Sequence, residues 1–343
     1  MGIGYILLAI LVFGILIFIH ELGHFAVARK CGVDIKEFAI GMGPQILAWK
    51  SKKYETQYSL RLLPIGGYVS MVGEDEDSDS ENAFNNKSVW QRLLIIAAGP
   101  IMNLVLGFIV MIVMVCMIGT LHSNTIYYNP DTVAVSQSCG LQDGDRVIKV
   151  ENTRVHTWYE LSYEVMNRGY EPIDITVIRN GEQVYLEDVL FPTVESSGVL
   201  FGDVDFLPQT EELNLVNLLK HSFYRSVSTV KMVVDSFVDL IRGRFGIDSM
   251  SGPVGITQTI GNYASHGFIY LLHIFGVITI NLGVFNLFPI PALDGGRLLF
   301  LVAEAIIGRP LNRKVEGYIH FIGLVLMLCL ALYVTFNDIL RLF

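Results

Sequence analysis

Two histidines four residues apart, with a glutamate between them, stand inside an otherwise uncharged apolar run from Ile3 to Val27: His20-Glu21-Leu22-Gly23-His24. On a helix, positions i and i+4 share one face, about 6 Å apart along the axis. Two imidazoles so placed can bind one Zn²⁺, with the glutamate beside the open coordination position as general base. The same pattern recurs by chance on solvated helix faces, and a polar cluster that only packs helices together is a second explanation. An ionisable side chain at bilayer depth costs about 2.5–3.5 kcal/mol on insertion scales and marks function by default. Three together, in this order, favour the metal.

A catalytic zinc needs three protein ligands and a position open to water. The candidate third ligand is Asp294, in Asn286-Leu287-Phe288-Pro289-Ile290-Pro291-Ala292-Leu293-Asp294-Gly295-Gly296. Pro289 and Pro291 must interrupt a helix there and free backbone groups that lipid does not tolerate. The segment therefore belongs inside protein or beside a watery cavity. By position alone Asp294 could equally cap the segment at the interface beside Arg297. Its company with the His-Glu-His cluster favours a ligand.

The elements that must carry these residues are membrane helices. The chain has 343 residues, 52% hydrophobic and 17% charged, with a mean hydropathy of +0.49. Those values describe an integral membrane protein with a modest soluble part. A net charge of −9 and the absence of a basic cluster in the sequence argue against a nucleic-acid partner. Cys31, Cys116, Cys139 and Cys329 are scattered and suggest neither a disulfide framework nor a cysteine metal site. Residues 1–27 lack a positive leading region and a convincing cleavage site, so they are expected to be a retained helix.

Spans are expected at about 3–27, 93–121, 268–292 and 317–337. No basic residue precedes the first, Arg29 and Lys30 follow it, and nine Lys/Arg occupy 29–92. Arg297, Arg309, Arg313 and Lys314 lie between the third and fourth spans. These loops are expected to be cytoplasmic, with both termini and the 122–266 region outside. The first and third spans then both run inward, so His20, His24 and Asp294 can meet near the cytoplasmic side.

Residues 34–72 alternate apolar and polar positions (Tyr54, Thr56, Tyr58, Leu60, Leu62) between glycine–proline punctuation, which predicts a β-hairpin or small sheet. Residues 74–86, with Glu74-Asp75-Glu76-Asp77, are expected to form an exposed, mobile acidic loop. From about 121 to 205 the composition is that of a soluble α+β domain, with a hairpin at Asn180-Gly181. Residues 213–245 form an amphipathic helix too charged to span, lying on the membrane surface or on the domain.

Taken in order, His20-Glu21-x-x-His24, Phe38-x-Ile40-Gly41-x-Gly43-Pro44, Pro64-x-Gly66-Gly67-Tyr68-Val69, Gly99-Pro100-x-x-Asn103 and Asn286-x-x-Pro289-x-Pro291-x-Leu293-Asp294-Gly295 resemble the site-2 protease family. Within it, they are similar to the bacterial RseP-type regulated intramembrane zinc metalloproteases. The resemblance implies that His20, His24 and Asp294 bind one Zn²⁺ and that Glu21 is the base. It implies a PDZ domain between the second and third spans; there is room for one, as in the Gram-positive members. Substrates would be single-pass membrane proteins, such as anti-sigma factors and remnant signal peptides, at the bacterial plasma membrane.

The resulting expectation is an α-helical polytopic membrane protein of about four transmembrane helices, with a membrane-associated β-hairpin or sheet and one inserted α+β PDZ domain. Residues 1–121 and 267–343 form the membrane core, 122–208 the extracytoplasmic PDZ domain with a possible peptide ligand, and 209–266 a helical connector. Asn286 is a candidate oxyanion donor and Asn103 a candidate for orienting substrate, each equally explained by interhelical hydrogen bonding. Tyr58 and Leu60 are expected on an edge strand that pairs with an unwound substrate. A hairpin that only covers the cytoplasmic face is the alternative there. Two rival functions are a transporter, which four spans without visible inverted repeats disfavour, and a catalytically inactive membrane-anchored PDZ scaffold, which the intact Glu21 disfavours.

Overall fold

The computed structural model describes residues 3–341 except 53–54, 75, 77, 131–132 and 197. Tyr54, Asp75 and Asp77, singled out above, lie outside the described residues. The chain divides into two units, residues 1–107 with 250–343, and residues 108–249.

Among the described residues, four helices are long and apolar enough to cross a membrane: α1 (Ile3–Lys30), α2 (Val89–Ile118), α7 (Phe268–Leu287) and α9 (Arg313–Leu340). Helix α1 rises about 42 Å and places His20 about 26 Å along it, beyond most of a hydrocarbon core about 30 Å thick. The third span stops at Leu287, not 292. Phe288 and Ile290 each precede a proline, which disfavours the helical conformation; Phe288 is extended, with φ −65° and ψ 143°. The segment expected as a short loop contains helix α8 (Asp294–Ile307), which begins at the aspartate.

Strands β1 (Ile35–Lys50) and β2 (Gln57–Met71) form an antiparallel sheet. Gly41 and Gly43 in β1 and Gly66 in β2 have φ near +85°, which bends each strand into two arms. The spatial order is 45–50, then 57–61, then 37–40, then 67–71. The inner arms pack on α1 through Phe38, whose ring meets Phe18 and Phe25 edge-on. The 78–86 segment is not the free loop expected. Phe84 is buried, its amide donates to the Val72 carbonyl at 2.7 Å, and both Asn85 and Asn86 donate to the Ser78 carbonyl. Helix α6 (Pro253–Ser265) packs on α1, α7 and α9.

The other unit contains the end of α2 from Phe108, followed by β3 (Leu121–Tyr127), the one-turn α3 (Val135–Ser138), β4 (Arg146–Val150), β5 (Thr153–Arg154), α4 (Trp158–Arg168), β6 (Ile173–Arg179), β7 (Glu182–Val189), β8 (Thr193–Ser196), β9 (Val199–Gly202), β10 (Leu207–Glu211) and α5 (Leu215–Arg242). Its main sheet runs β10-β3-β4-β6-β7, with β5 paired to β4. The β6–β7 hairpin turns at Asn180-Gly181, whose φ values of 51° and 88° are those of a type I′ turn. Val147, Val150, Leu161, Val165, Ile175 and Val177 centre a core between sheet and α4. Helix α4 starts where the Thr157 amide donates to Glu160 Oε2 at 3.0 Å. Helix α5 forms within the amphipathic stretch and packs on α4 and β3.

Candidate metal centre

His20 and His24 lie one turn apart on the buried face of α1, each less than a tenth exposed. Their Nε2 atoms are 3.2 Å apart. Asp294 Oδ2 lies 3.0 Å from His20 Nε2 and 3.3 Å from His24 Nε2. Tetrahedral bonds of 2.0–2.1 Å to a single zinc would hold donor atoms about 3.3 Å apart, so the observed triangle fits that ion. The tautomer fits too. His24 Nδ1 is 2.8 Å from the Ile95 carbonyl, which can only accept, so the proton sits on Nδ1 and the Nε2 lone pair faces the carboxylate. Asp294 Oδ2 is buried without a hydrogen-bond donor among the described residues. Two imidazole nitrogens and a carboxylate oxygen turned toward one point are a donor set that a catalytic zinc takes.

Local sequence explains how the helices come so close. A Cβ on Gly99 would fall 2.3 Å from His24 Nε2, so only glycine lets α2 pass beside the imidazole. Asp294 is set by the irregular 288–293 segment, in which Ala292 takes φ 74°, uncommon for a residue with a side chain. The Ala292 amide donates to His320 Nδ1 on α9 at 3.0 Å. His320 is a positioning residue that sequence reasoning missed; a lone histidine opening an apolar span was its only signal.

Glu21 lines a cavity of about 420 Å³ together with His20, His24 and Asp294. The far wall is the 67–71 arm of β2, at Tyr68, Val69, Ser70 and Met71, with Glu74 and Arg297, an ion pair, beside it. At Gly67 a Cβ would lie 3.5 Å from Glu21 Cγ and 2.9 Å from the Ala39 carbonyl. Tyr68 is tied down from behind. Its hydroxyl donates to Glu37 Oε2 at 2.6 Å, and Ser59 and Arg61 donate to Glu37 Oε1 at 2.5 and 2.8 Å. Burial pushes the Glu37 carboxyl up, and these hydrogen bonds overcome it, so its pKa is lowered.

The remaining candidates are placed differently from expectation. Tyr58 pairs with both Phe38 and Trp49, and Leu60 with both Ile40 and Leu47. Both backbone edges of their arm are occupied, so they cannot pair with a peptide. Strand alternation in sequence does not separate an inner arm from an edge; the edge at the cavity is 67–71, within the Pro64-x-Gly66-Gly67-Tyr68-Val69 motif. Asn103 is fully buried, and its amide nitrogen is 3.3 Å from His20 Nδ1. It stands behind an imidazole and does not line the cavity. Asn286 occupies the last turn of α7, half-buried, and is also absent from the cavity wall.

A model of peptidase family M50 matches residues 8–330. A protein of Clostridium acetobutylicum named as a zinc metalloprotease is 38% identical over 97% of both chains. The zinc metalloprotease RasP of Geobacillus kaustophilus is 31% identical over 97% of both. The regulator of sigma-W protease RasP of Bacillus subtilis is 29% identical over the whole of both. The chain belongs to peptidase family M50, the site-2 proteases. It is a zinc-dependent metalloendopeptidase, with four helices long and apolar enough to cross a membrane.

Proposed function

We propose that the chain is an intramembrane protease that hydrolyses peptide bonds in or near the transmembrane segments of single-pass membrane proteins. His20 Nε2, His24 Nε2 and Asp294 hold the zinc, and Glu21 is the general base. The observation that carries this reading is the convergence of those three donor atoms within 3.3 Å of one another on a membrane helix and the first residue of α8.

When bound, zinc acts as a Lewis acid on the scissile carbonyl and acidifies water. The Glu21 carboxylate accepts a proton from the attacking water and delivers it to the leaving amide nitrogen. His24, held through Nδ1 by the Ile95 carbonyl, keeps its Nε2 lone pair available. Asn103 serves His20 in the same way once its amide is turned so that Oδ1, buried and without a partner among the described residues, accepts from Nδ1–H. Asn286 remains the candidate oxyanion donor.

A transmembrane helix has its carbonyls satisfied internally, so the substrate must unwind before attack. The 67–71 arm pairs on one side only among the described residues and faces Glu21, which supports strand addition at this edge. Basic residues at the C-terminal end of α1, in α8 and at the start of α9 support a cytoplasmic position for the site, with the termini and the 122–208 domain outside. That domain's sheet and α4 support a single PDZ domain. The membrane is a bacterial plasma membrane, and by analogy with a relative named as a regulator of sigma-W, anti-sigma factors are the first substrates to try.

The test is Glu21→Gln in the full chain, reconstituted with a single-pass substrate. Cleavage is expected to disappear while zinc content stays that of wild type. A Glu21→Gln protein that still cleaves would remove the base assignment.

A further inference from the structure

The unit of residues 108–249 contains a cavity of about 590 Å³ far in sequence from the metal centre. Arg146, Lys149, Arg154, His156 and Lys220 line it, and no carboxylate does. His156 is 3.2 Å from Glu160 and Lys220 is 3.4 Å from Glu211. Arg146, Lys149 and Arg154 have no ion pair among the described residues. Lys149 and Arg154 are directly opposite each other on β4 and β5, a placement of like charges that destabilises a sheet. In a chain of net charge −9, four lysine and arginine side chains gathered around one concavity are a cost without an anion and a site with one.

We propose that this cavity binds a phosphate group, and that its source is the headgroup of an anionic membrane lipid. Two observations favour the lipid over an acidic peptide. Strand β3, which contributes Asn124 to the cavity, follows the span α2 at once. Asn124 comes six positions after Ile118, at most about 20 Å of chain, and the headgroup layer itself is about 5–7 Å deep. Lys220 also sits on α5 beside an exposed apolar row, Leu215, Leu219, Phe223 and Val227, spaced by four residues. Cationic nitrogens next to exposed aliphatic and aromatic carbon match a phosphate next to acyl chain. The guanidinium forks of Arg146 and Arg154 suit two phosphate oxygens each.

The full-length protein in neutral detergent would be titrated with phosphatidylglycerol, read by native mass spectrometry, and separately with inorganic phosphate, read by calorimetry. Lys149→Gln and Arg154→Gln are each expected to weaken binding about tenfold, the effect of one charge-assisted hydrogen bond, while Arg154→Lys, which keeps the charge and loses the fork, falls between wild type and Arg154→Gln. Thermal unfolding of each variant beside wild type serves as the folding control. Loss of phosphatidylglycerol binding in the Gln variants supports the lipid source. Phosphate binding that the variants weaken, with no lipid bound, keeps the site and makes its ligand a free anion. Binding of both probes unchanged in the variants, or binding of neither probe to the wild-type protein, overturns the proposal.

Discussion

The Asn103 amide and His20 Nδ1 are 3.3 Å apart, and His20 Nε2, on the opposite side of the same ring, is 3.0 Å from Asp294. One imidazole thus joins a fully buried amide on α2 to the carboxylate that begins α8. His24 repeats the relation with the Ile95 carbonyl as its rear partner. The imidazole planes are therefore set by α2, not by α1, on which both histidines reside.

Asn103→Ala is expected to lower zinc affinity about 10–100-fold, as loss of an outer hydrogen-bond partner does, with little change in folding. Dialysis of wild type and variant against graded chelator measures it. Equal zinc retention would leave Asn103 as helix packing only.

Gly99→Leu places a side chain where His24 Nε2 now lies, since even a Cβ would come within 2.3 Å. Zinc and cleavage should be lost together. Gly107→Ala is a comparison on the same helix, against Ile280 instead of the metal centre; it should retain more zinc than Gly99→Leu. Equal zinc content in the two would contradict the close approach of α2 to the site.

Proline at Ser70 removes an amide from the arm that borders the cavity and should reduce cleavage at least about tenfold, from loss of one or more backbone hydrogen bonds to substrate, with zinc retained. Proline at Tyr58 breaks an arm paired on both sides and should damage folding as well as activity. Thermal unfolding followed beside substrate cleavage separates the two. If proline at Ser70 harmed folding and cleavage equally, the arm would be a structural cover.

The metal-binding face of α1 is legible in the sequence because helical period alone brings His20 and His24 together, whatever the rest of the chain does. Asp294, 270 residues on, is legible only through Pro289 and Pro291, which announce irregular backbone at membrane depth. Legibility ends where the same pattern serves two structures. Tyr58 and Leu60 alternate as well on an inner arm as on an edge, and the positive φ at Gly41, Gly43 and Gly66, which decides between them, leaves no trace in hydrophobic period. Asn103 carries an amide that suits substrate or histidine, and only its burial behind His20 distinguishes them. Helix α8 was hidden because Arg297 and Glu304 in a short interspan segment read as loop, whereas the fold pairs them with Glu74 and Arg92. The basic cavity has no sequence signature at all, since its cations come from β4, β5 and α5.

The most direct measurement is elemental analysis of zinc in the purified full-length chain. Wild type and Glu21→Gln should each carry one zinc per chain, as a three-ligand catalytic site holds, while His24→Ala and Asp294→Asn should carry far less. Wild-type zinc in both His24→Ala and Asp294→Asn would contradict the ligand set and the enzymatic account built on it.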